Sequence, residues 1–260
     1  MYNPSDNYYF RLDAKVKMTQ LSVNLNKIAL LRNQRDIGEP KITEAAKTAI
    51  KAGAYGITVH PRPDQRHIKY KDVYELADIL TVEFNIEGNP FTGRYMNVVC
   101  DVKPDQATLV PDKPDATTSD HGWNLKQDKE KLVPIVKKLK NLGIRVSLFM
   151  DPDIPVIEMA KQLGADRIEL YTEPYAKAFA EGKNLEKILT QYANAAKAAQ
   201  NVGLGTNAGH DLNLKNLAKF CSTVQNILEV SIGQALIVDA LQMGLYNSVK
   251  AYVNVLSDIK

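Results

Sequence analysis

The chain is poor in cysteine, tryptophan and histidine, with two, one and four of them in 260 residues. Cys100 and Cys221 form no spacing motif, which argues against a disulfide framework or a cysteine-built metal site. Cys100 closes the apolar run Met96-Asn97-Val98-Val99-Cys100, so it is expected to be a buried, reduced thiol, and the protein is expected to be cytoplasmic. No His-x-His or His-x-x-x-His pair occurs, so no metal is expected. No uninterrupted apolar stretch approaches the roughly 20 residues of a membrane span, and Met1–Lys17 lacks the apolar core of a signal peptide. Membrane insertion and secretion are therefore not expected. Charge of one sign is also scarce. Thirty-three Lys and Arg against 30 Asp and Glu leave +3, too little to imply nucleic acid and compatible with small anionic substrates.

What the chain does have is a hydrophobic content of 45%, enough for one large core, and a regular alternation of short apolar runs with helical patterns. Eight strands are expected, at Leu21–Leu25, Gly56–His60, Glu83–Glu87, Ala107–Val110, Arg145–Met150, Arg167–Tyr171, Gly205–Ala208 and Leu228–Ile232. Between them lie amphipathic stretches such as Thr43–Ala52, Lys129–Leu142, Ile154–Leu163 and Asn184–Val202, with Gly53, Gly143, Gly164 and Gly203 as helix stops. Repeated βα units force parallel strands, and eight of them at this length favour a (β/α)8 barrel with extra helices. Residues 1–20 are expected to be an N-terminal extension and 21–260 a single barrel domain. Two connections are long: Asp112–Asp128, a candidate lid or interface segment, and Thr172–Lys183, which should hold a small extra element.

The unusual chemistry collects where strands end, as it does in the active sites of parallel barrels. His60 closes a β-branched run and is followed by Arg62, Arg66 and His67, while His210 ends the seventh run. Imidazoles on opposite sides of a mouth can act as base and acid on one substrate. Glu87 ends the third strand on the phase that would place it beside His60, where partial burial would raise its proton affinity. Arg32, Arg35, Arg62 and Arg66 cluster after strands one and two and could bind phosphate bidentately. The small-residue turns Gly205–His210 and Ile232-Gly233-Gln234-Ala235 follow strands seven and eight, where barrels commonly hold phosphate on backbone N–H groups.

Taken in order, these segments resemble the pyridoxine 5′-phosphate synthase family. The carrying stretches are Ser22-Val23-Asn24 with Leu31-Arg32-Asn33-Gln34-Arg35, then Gly53–Arg62 with Arg66-His67-Ile68, and Asn85-Ile86-Glu87-Gly88. Leu109-Val110-Pro111, Val146–Phe149, Asn207-Ala208-Gly209-His210 and Ser231-Ile232-Gly233 continue the match to roughly Leu256. The resemblance implies condensation of 1-deoxy-D-xylulose 5-phosphate with 3-amino-2-oxopropyl phosphate, giving pyridoxine 5′-phosphate, inorganic phosphate and two waters. It implies no metal or organic cofactor, and a homo-oligomer, an octamer built from dimers. His60 and Glu87 match the family's proton acceptors and His210 its proton donor. Asn24, Arg35, Asp211, Gly233 and Gln234 match the aminoketone phosphate site, and Arg62, His67 and Thr117 the deoxyxylulose phosphate site.

The chain departs from the family pattern at Asn26-Lys27, where many members have Asp-His, at Gln234, where many have His, and at Asp36 and Asp211, where many have Gly. Asn26 and Lys27 are retained as substrate-binding candidates, since lysine still places a positive charge near a phosphate. Asp211 would repel a phosphate unless it turns away as a helix N-cap. Two rival functions follow from these departures: a Schiff-base aldolase using Lys27, and a non-catalytic barrel that binds a phosphorylated ligand. Trp123 and the aromatic Tyr8, Tyr9 and Phe10 could cover a partner surface or an intrachain groove.

Overall fold

The computed structural model of the chain describes residues 18–114 and 116–259. In chain order the elements are β1 Gln20–Asn24, α1 Asn26–Arg32, α2 Ile42–Lys51, β2 Gly56–Val59, α3 Tyr70–Ala77, β3 Glu83–Gly88, α4 Tyr95–Val102, β4 Gln106–Leu109 and α5 Leu125–Asn141. They continue with β5 Arg145–Met150, α6 Ile154–Gln162, β6 Arg167–Tyr171, α7 Glu173–Glu181, α8 Leu185–Asn201, β7 Gly205–Gly209, α9 Leu217–Thr223, β8 Ile227–Ile232, α10 Gln234–Met243 and α11 Leu245–Ser257. Every neighbouring pair of strands is parallel, and β8 pairs back onto β1, so the sheet closes into a (β/α)8 barrel.

All eight expected strands are present to within one residue at each end. The helices obey the same logic. In α2 the buried residues Ile42, Ala45, Ala46 and Ala49 recur at helical spacing and form the stripe that meets the barrel. The four glycines expected to stop helices all have positive φ. The aliphatic face of the sheet, including Val23, Ile57, Ile86 and Leu148, is wholly buried among the helices. Each such side chain contributes about 1.5–3 kcal/mol on burial.

Two expectations change, and an alternative left open for Trp123 is decided. The run Met96–Cys100 lies in helix α4, and Cys100 is only half-buried; the buried thiol is Cys221. Helix α5 starts at Leu125, four residues ahead of the expected Lys129, so the connection after β4 ends at Asn124 rather than Asp128. Trp123 is an intrachain plug: its indole is buried, Nε1 donates to the Leu109 carbonyl at 2.8 Å, and Phe91 meets it edge-on. It is therefore not available to a partner surface. The element expected between Thr172 and Lys183 is helix α7. Tyr8, Tyr9 and Phe10 lie outside the described residues.

The inside of the barrel is polar. Side chains alternate across each strand, and the inward set on β1 to β5 forms a hydrogen-bonded belt. Ser22 Oγ meets Thr58 Oγ1 at 2.7 Å, Asn85 Nδ2 donates to Thr58 Oγ1 at 3.3 Å, and Thr108 Oγ1 donates to Asn85 Oδ1 at 2.9 Å. Gln106 Nε2 donates to Thr108 Oγ1 at 3.4 Å, and Arg145 Nε donates to Gln106 Oε1 at 2.8 Å. Barrels are more often filled by layers of branched aliphatic residues. Here polar alternation runs up each strand and brings ionisable groups to the C-terminal mouth.

Candidate active site

The inward phase of β3, fixed by Asn85, delivers Glu87 to the mouth. Its Oε2 lies 3.9 Å from His60 Nδ1, just past the end of β2, and 3.4 Å from Asn24 Nδ2 at the end of β1. Burial, reinforced by the nearby Asp112 charge, raises the Glu87 carboxyl to about 8, against the opposing pull of Arg62 and of hydrogen bonds from Asn24 and Ser231. Burial also drives the His60 imidazole well below its usual range, helped by the positive charges of Arg62, His67 and Arg66. At neutral pH the imidazole is therefore neutral and Glu87 mostly protonated. The 3.9 Å approach is between uncharged groups, although its geometry alone resembles an ion pair.

Asn26 braces this corner. Its N–H donates to Asn24 Oδ1 at 3.0 Å, and its own Oδ1 accepts the His60 backbone N–H at 2.9 Å. That ties the ends of β1 and β2 together. His67 is buried and its Nδ1 accepts the Ile68 N–H at 2.9 Å, which leaves Nε2–H as the donor of the neutral ring. Burial and Arg62 lower it to about 4.

Across the mouth, β7 presents His210. Its Nε2 is 2.8 Å from Thr118 Oγ1 and its Nδ1 3.1 Å from Asp211 Oδ2. The loop after β4 thus reaches over the mouth to β7. Both His210 and Asp211 have positive φ, 88° and 60°, and the Thr172 hydroxyl holds the turn at the Gly209 and His210 carbonyls. The Asp211 carboxylate is held below its usual range chiefly by that hydrogen bond to His210. It does not cap a helix, because the N-cap of α9 is Asn216; it orients the His210 ring. Tyr171 meets His210 edge-on at 5.0 Å and packs with Phe149 and Val110 as an apolar wall.

The arginine cluster divides. Arg32 makes a two-pronged contact with buried Asp72 at 2.6 and 2.8 Å, and Arg66 binds Asp64 at 2.7 Å. Arg62 is buried against Asp112 at 2.6 Å. Arg35 is exposed and has no carboxylate partner among the described residues. Lys27 is half-exposed, and its charge is felt at both His67 and Asp211. Thr117 is exposed on the loop after β4. Gly233 and Gln234 stand at the N-terminus of α10, beside Asn24, where backbone N–H groups and the helix dipole favour an anion.

Two buried acids are part of the site that the sequence reading passed over. Glu169 on β6 is buried, and burial first, then Glu87 and Glu229, raise it well above the carboxylate range. Gly209 makes room for it: a Cβ there would lie 2.3 Å from Glu169 Oε1. Asp112 is 4% exposed and bound to Arg62. The signal for Glu169 was its inward phase between Arg167 and Tyr171; Asp112 had none, because loops carry no periodicity. Among the described residues no group of three or more His, Cys, Asp or Glu could hold a metal ion, and no helix is long and apolar enough to cross a membrane.

Comparison with known proteins shows what the chain is similar to. A family model described as pyridoxal phosphate biosynthesis protein PdxJ matches residues 21–258. A pyridoxine 5′-phosphate synthase of Xanthomonas axonopodis pv. citri is 53% identical over 247 residues, covering 92% of this chain and 96% of its own length. One of Cytophaga hutchinsonii is 50% identical, covering 91% and 98%. Among solved structures, thiamine phosphate pyrophosphorylase from Pyrococcus furiosus superposes with a TM-score of 0.58 at 12% identity, covering 94% of this chain and 98% of that one. Phosphoribosylanthranilate isomerase from Thermotoga maritima gives 0.56 at 13%, covering 92% and 99%. These structures share the fold.

Proposed function

The chain belongs to the PdxJ family, and from that membership we propose how its mouth carries out the synthase reaction. The protein is an enzyme of vitamin B6 biosynthesis, a pyridoxine 5′-phosphate synthase. It condenses 1-deoxy-D-xylulose 5-phosphate with 3-amino-2-oxopropyl phosphate to give pyridoxine 5′-phosphate, inorganic phosphate and two waters. The observation that carries the residue assignment is the convergence of His60 and Glu87 on one side of the mouth with His210 on the other.

Imine formation, dehydration and ring closure each need a proton moved at a fixed place while two phosphates are held still. Neutral His60 is competent as a base. Glu87, at about 8, lies close enough to neutrality to give and take a proton, and Asn24 fixes its orientation. His210, aimed by Asp211, serves the far side as donor. Glu169 supplies a further buried carboxyl on the intervening wall. Arg35 and the Gly233-Gln234 helix start form the aminoketone phosphate site, with Asn24 beside them, and Asp211 joins it through its backbone N–H, its carboxylate being turned to His210. Arg62, His67 and Thr117 form the deoxyxylulose phosphate site, with Asn26 and Lys27 at its edge; no metal or organic cofactor is required. Thr117 binding would close the loop after β4 more firmly, keeping water from the imine.

The protein acts in the cytoplasm as a homo-oligomer. Exposed Leu31 and Ile37 after β1, and Val238, Leu241 and Tyr246 on α10 and α11, support self-association; a monomer mass by light scattering at micromolar concentration would refute it. The test of the activity is direct: purified protein given both phosphates forms pyridoxine 5′-phosphate. A folded, phosphate-binding protein without turnover would overturn the reading.

A further inference from the structure

Three segments of the mouth meet at one carboxylate that the proposed reaction does not use. Asp112 Oδ2 accepts Arg62 Nη2 at 2.6 Å and Ser119 Oγ at 2.7 Å. The Asp112 carbonyl accepts Asn89 Nδ2 at 2.9 Å, and Arg62 Nη1 donates to the Ala116 carbonyl at 2.8 Å. Asp112 and Arg62 are each 4% exposed, so this is no solvated surface pair, and Oδ1 of Asp112 has no hydrogen-bond partner among the described residues. Retaining a half-satisfied buried carboxylate costs stability, which asks for a compensating role.

The neighbours of Asp112 indicate that role. Arg62 is thereby fixed at the end of β2, with its remaining N–H groups unspent. Residues 116 and 119 are fixed in the loop whose Thr118 touches His210 across the mouth at 2.8 Å. The Asp112 charge also reaches Glu87, opposed there by Arg62. The groups facing Glu87 are His60 and Arg62 from β2, Asn24 from β1, Ser231 from β8, Tyr95 from α4, Glu169 from β6 and Asp112 itself. Of these, Asp112 is the charge that most favours a proton on Glu87.

We propose that Asp112 is a positioning residue of the reaction: bound to both Arg62 and Ser119, it holds the loop after β4 over the mouth. The same charge favours a proton on Glu87, so the placement of the loop and the Glu87 titration respond to one residue. The role rests on the synthase reading for its meaning, but not for its test.

The test compares Asp112→Asn, Asp112→Glu and Ser119→Ala with the unaltered protein. In substrate-free protein carrying 13C-carboxyl glutamate, the Glu87 titration moves to lower pH in Asp112→Asn and returns toward its original position in Asp112→Glu. Amide exchange over residues 112–122 accelerates about tenfold in Asp112→Asn, as loss of a charge-assisted hydrogen bond implies. Ser119→Ala accelerates the exchange but leaves the Glu87 titration in place, because the charge remains. An unchanged Glu87 titration in Asp112→Asn overturns the proposal, as does unchanged loop exchange in both Asp112→Asn and Ser119→Ala. If Asp112→Asn does not fold, loop exchange unchanged in Ser119→Ala overturns the proposal, since Ser119 holds the loop to the Asp112 carboxylate. None of these readouts needs turnover, so an inactive protein would refute the synthase assignment without touching this one.

Discussion

The His60 imidazole and the Glu87 carboxyl lie 3.9 Å apart with both driven to their uncharged forms by burial. Neither group is charged before the reaction, so each can exchange a proton with the substrate without first breaking an ion pair. Because Glu87 is raised to about 8, kcat/KM should climb with pH through about 8 as its accepting form appears. Glu87→Gln should abolish that limb and lower turnover ~100-fold or more while leaving ligand affinity nearly unchanged. A Gln variant that keeps the limb would remove Glu87 from the mechanism.

Stability should fall between pH 6.5 and 8. Glu87 and Glu229, both raised to about 8, contribute stability that is fully present below the unfolded carboxyl value of 4.5 and lost as pH rises through about 8. His67, lowered to about 4, works the other way: its contribution is present above 6.5 and lost as pH falls through about 4. Of these three groups only the carboxyls still titrate above 6.5. Each costs up to about 2 kcal/mol across that window, and Glu87→Gln should flatten the fall measured by denaturant unfolding at the two pH values.

Arg35→Ala should raise the Michaelis constant for the aminoketone phosphate with little change in kcat. The side chain is uncommitted to any carboxylate among the described residues, and a phosphate contact made before and during reaction is uniform binding. A variant with normal KM and reduced kcat would contradict the assignment.

Gly209→Ala should disturb chemistry as well as packing. The new methyl would sit 2.3 Å from Glu169 Oε1, so the buried carboxyl must leave its place. Overpacking of this size costs about 1–3 kcal/mol, visible by calorimetry, and turnover should drop with it. A variant as active as the original would show that the Glu169 carboxyl has no part in the reaction.

The barrel was legible because its cues are local: β-branched runs such as Gly56–Val59, and glycines such as Gly143 at positive φ. His60, Glu87 and His210 could be read because strand ends mark the mouth. The fate of the arginines could not, since whether Arg32 meets Asp72 or a ligand depends on partners 40 residues away. Asp211, which only a helix-cap geometry was seen to turn away from a phosphate, turns instead to His210, a choice made by two positive-φ residues that no spacing pattern encodes. The start of α5 was placed late because Leu125 precedes a charged stretch that masks the helical period.

The hydrogen-bonded belt inside the barrel has a consequence for how the strands tolerate change. The groups proposed for binding and proton transfer occupy one parity of positions, such as Asn24, Glu87 and Glu169, and aliphatic packing the other, such as Val23, Ile86 and Leu170. A mutational scan along a single strand should therefore oscillate with a period of two, one phenotype being loss of expression and the next loss of turnover in a well-folded protein. Engineering for thermal endurance can work on the outward parity while leaving the reacting groups undisturbed.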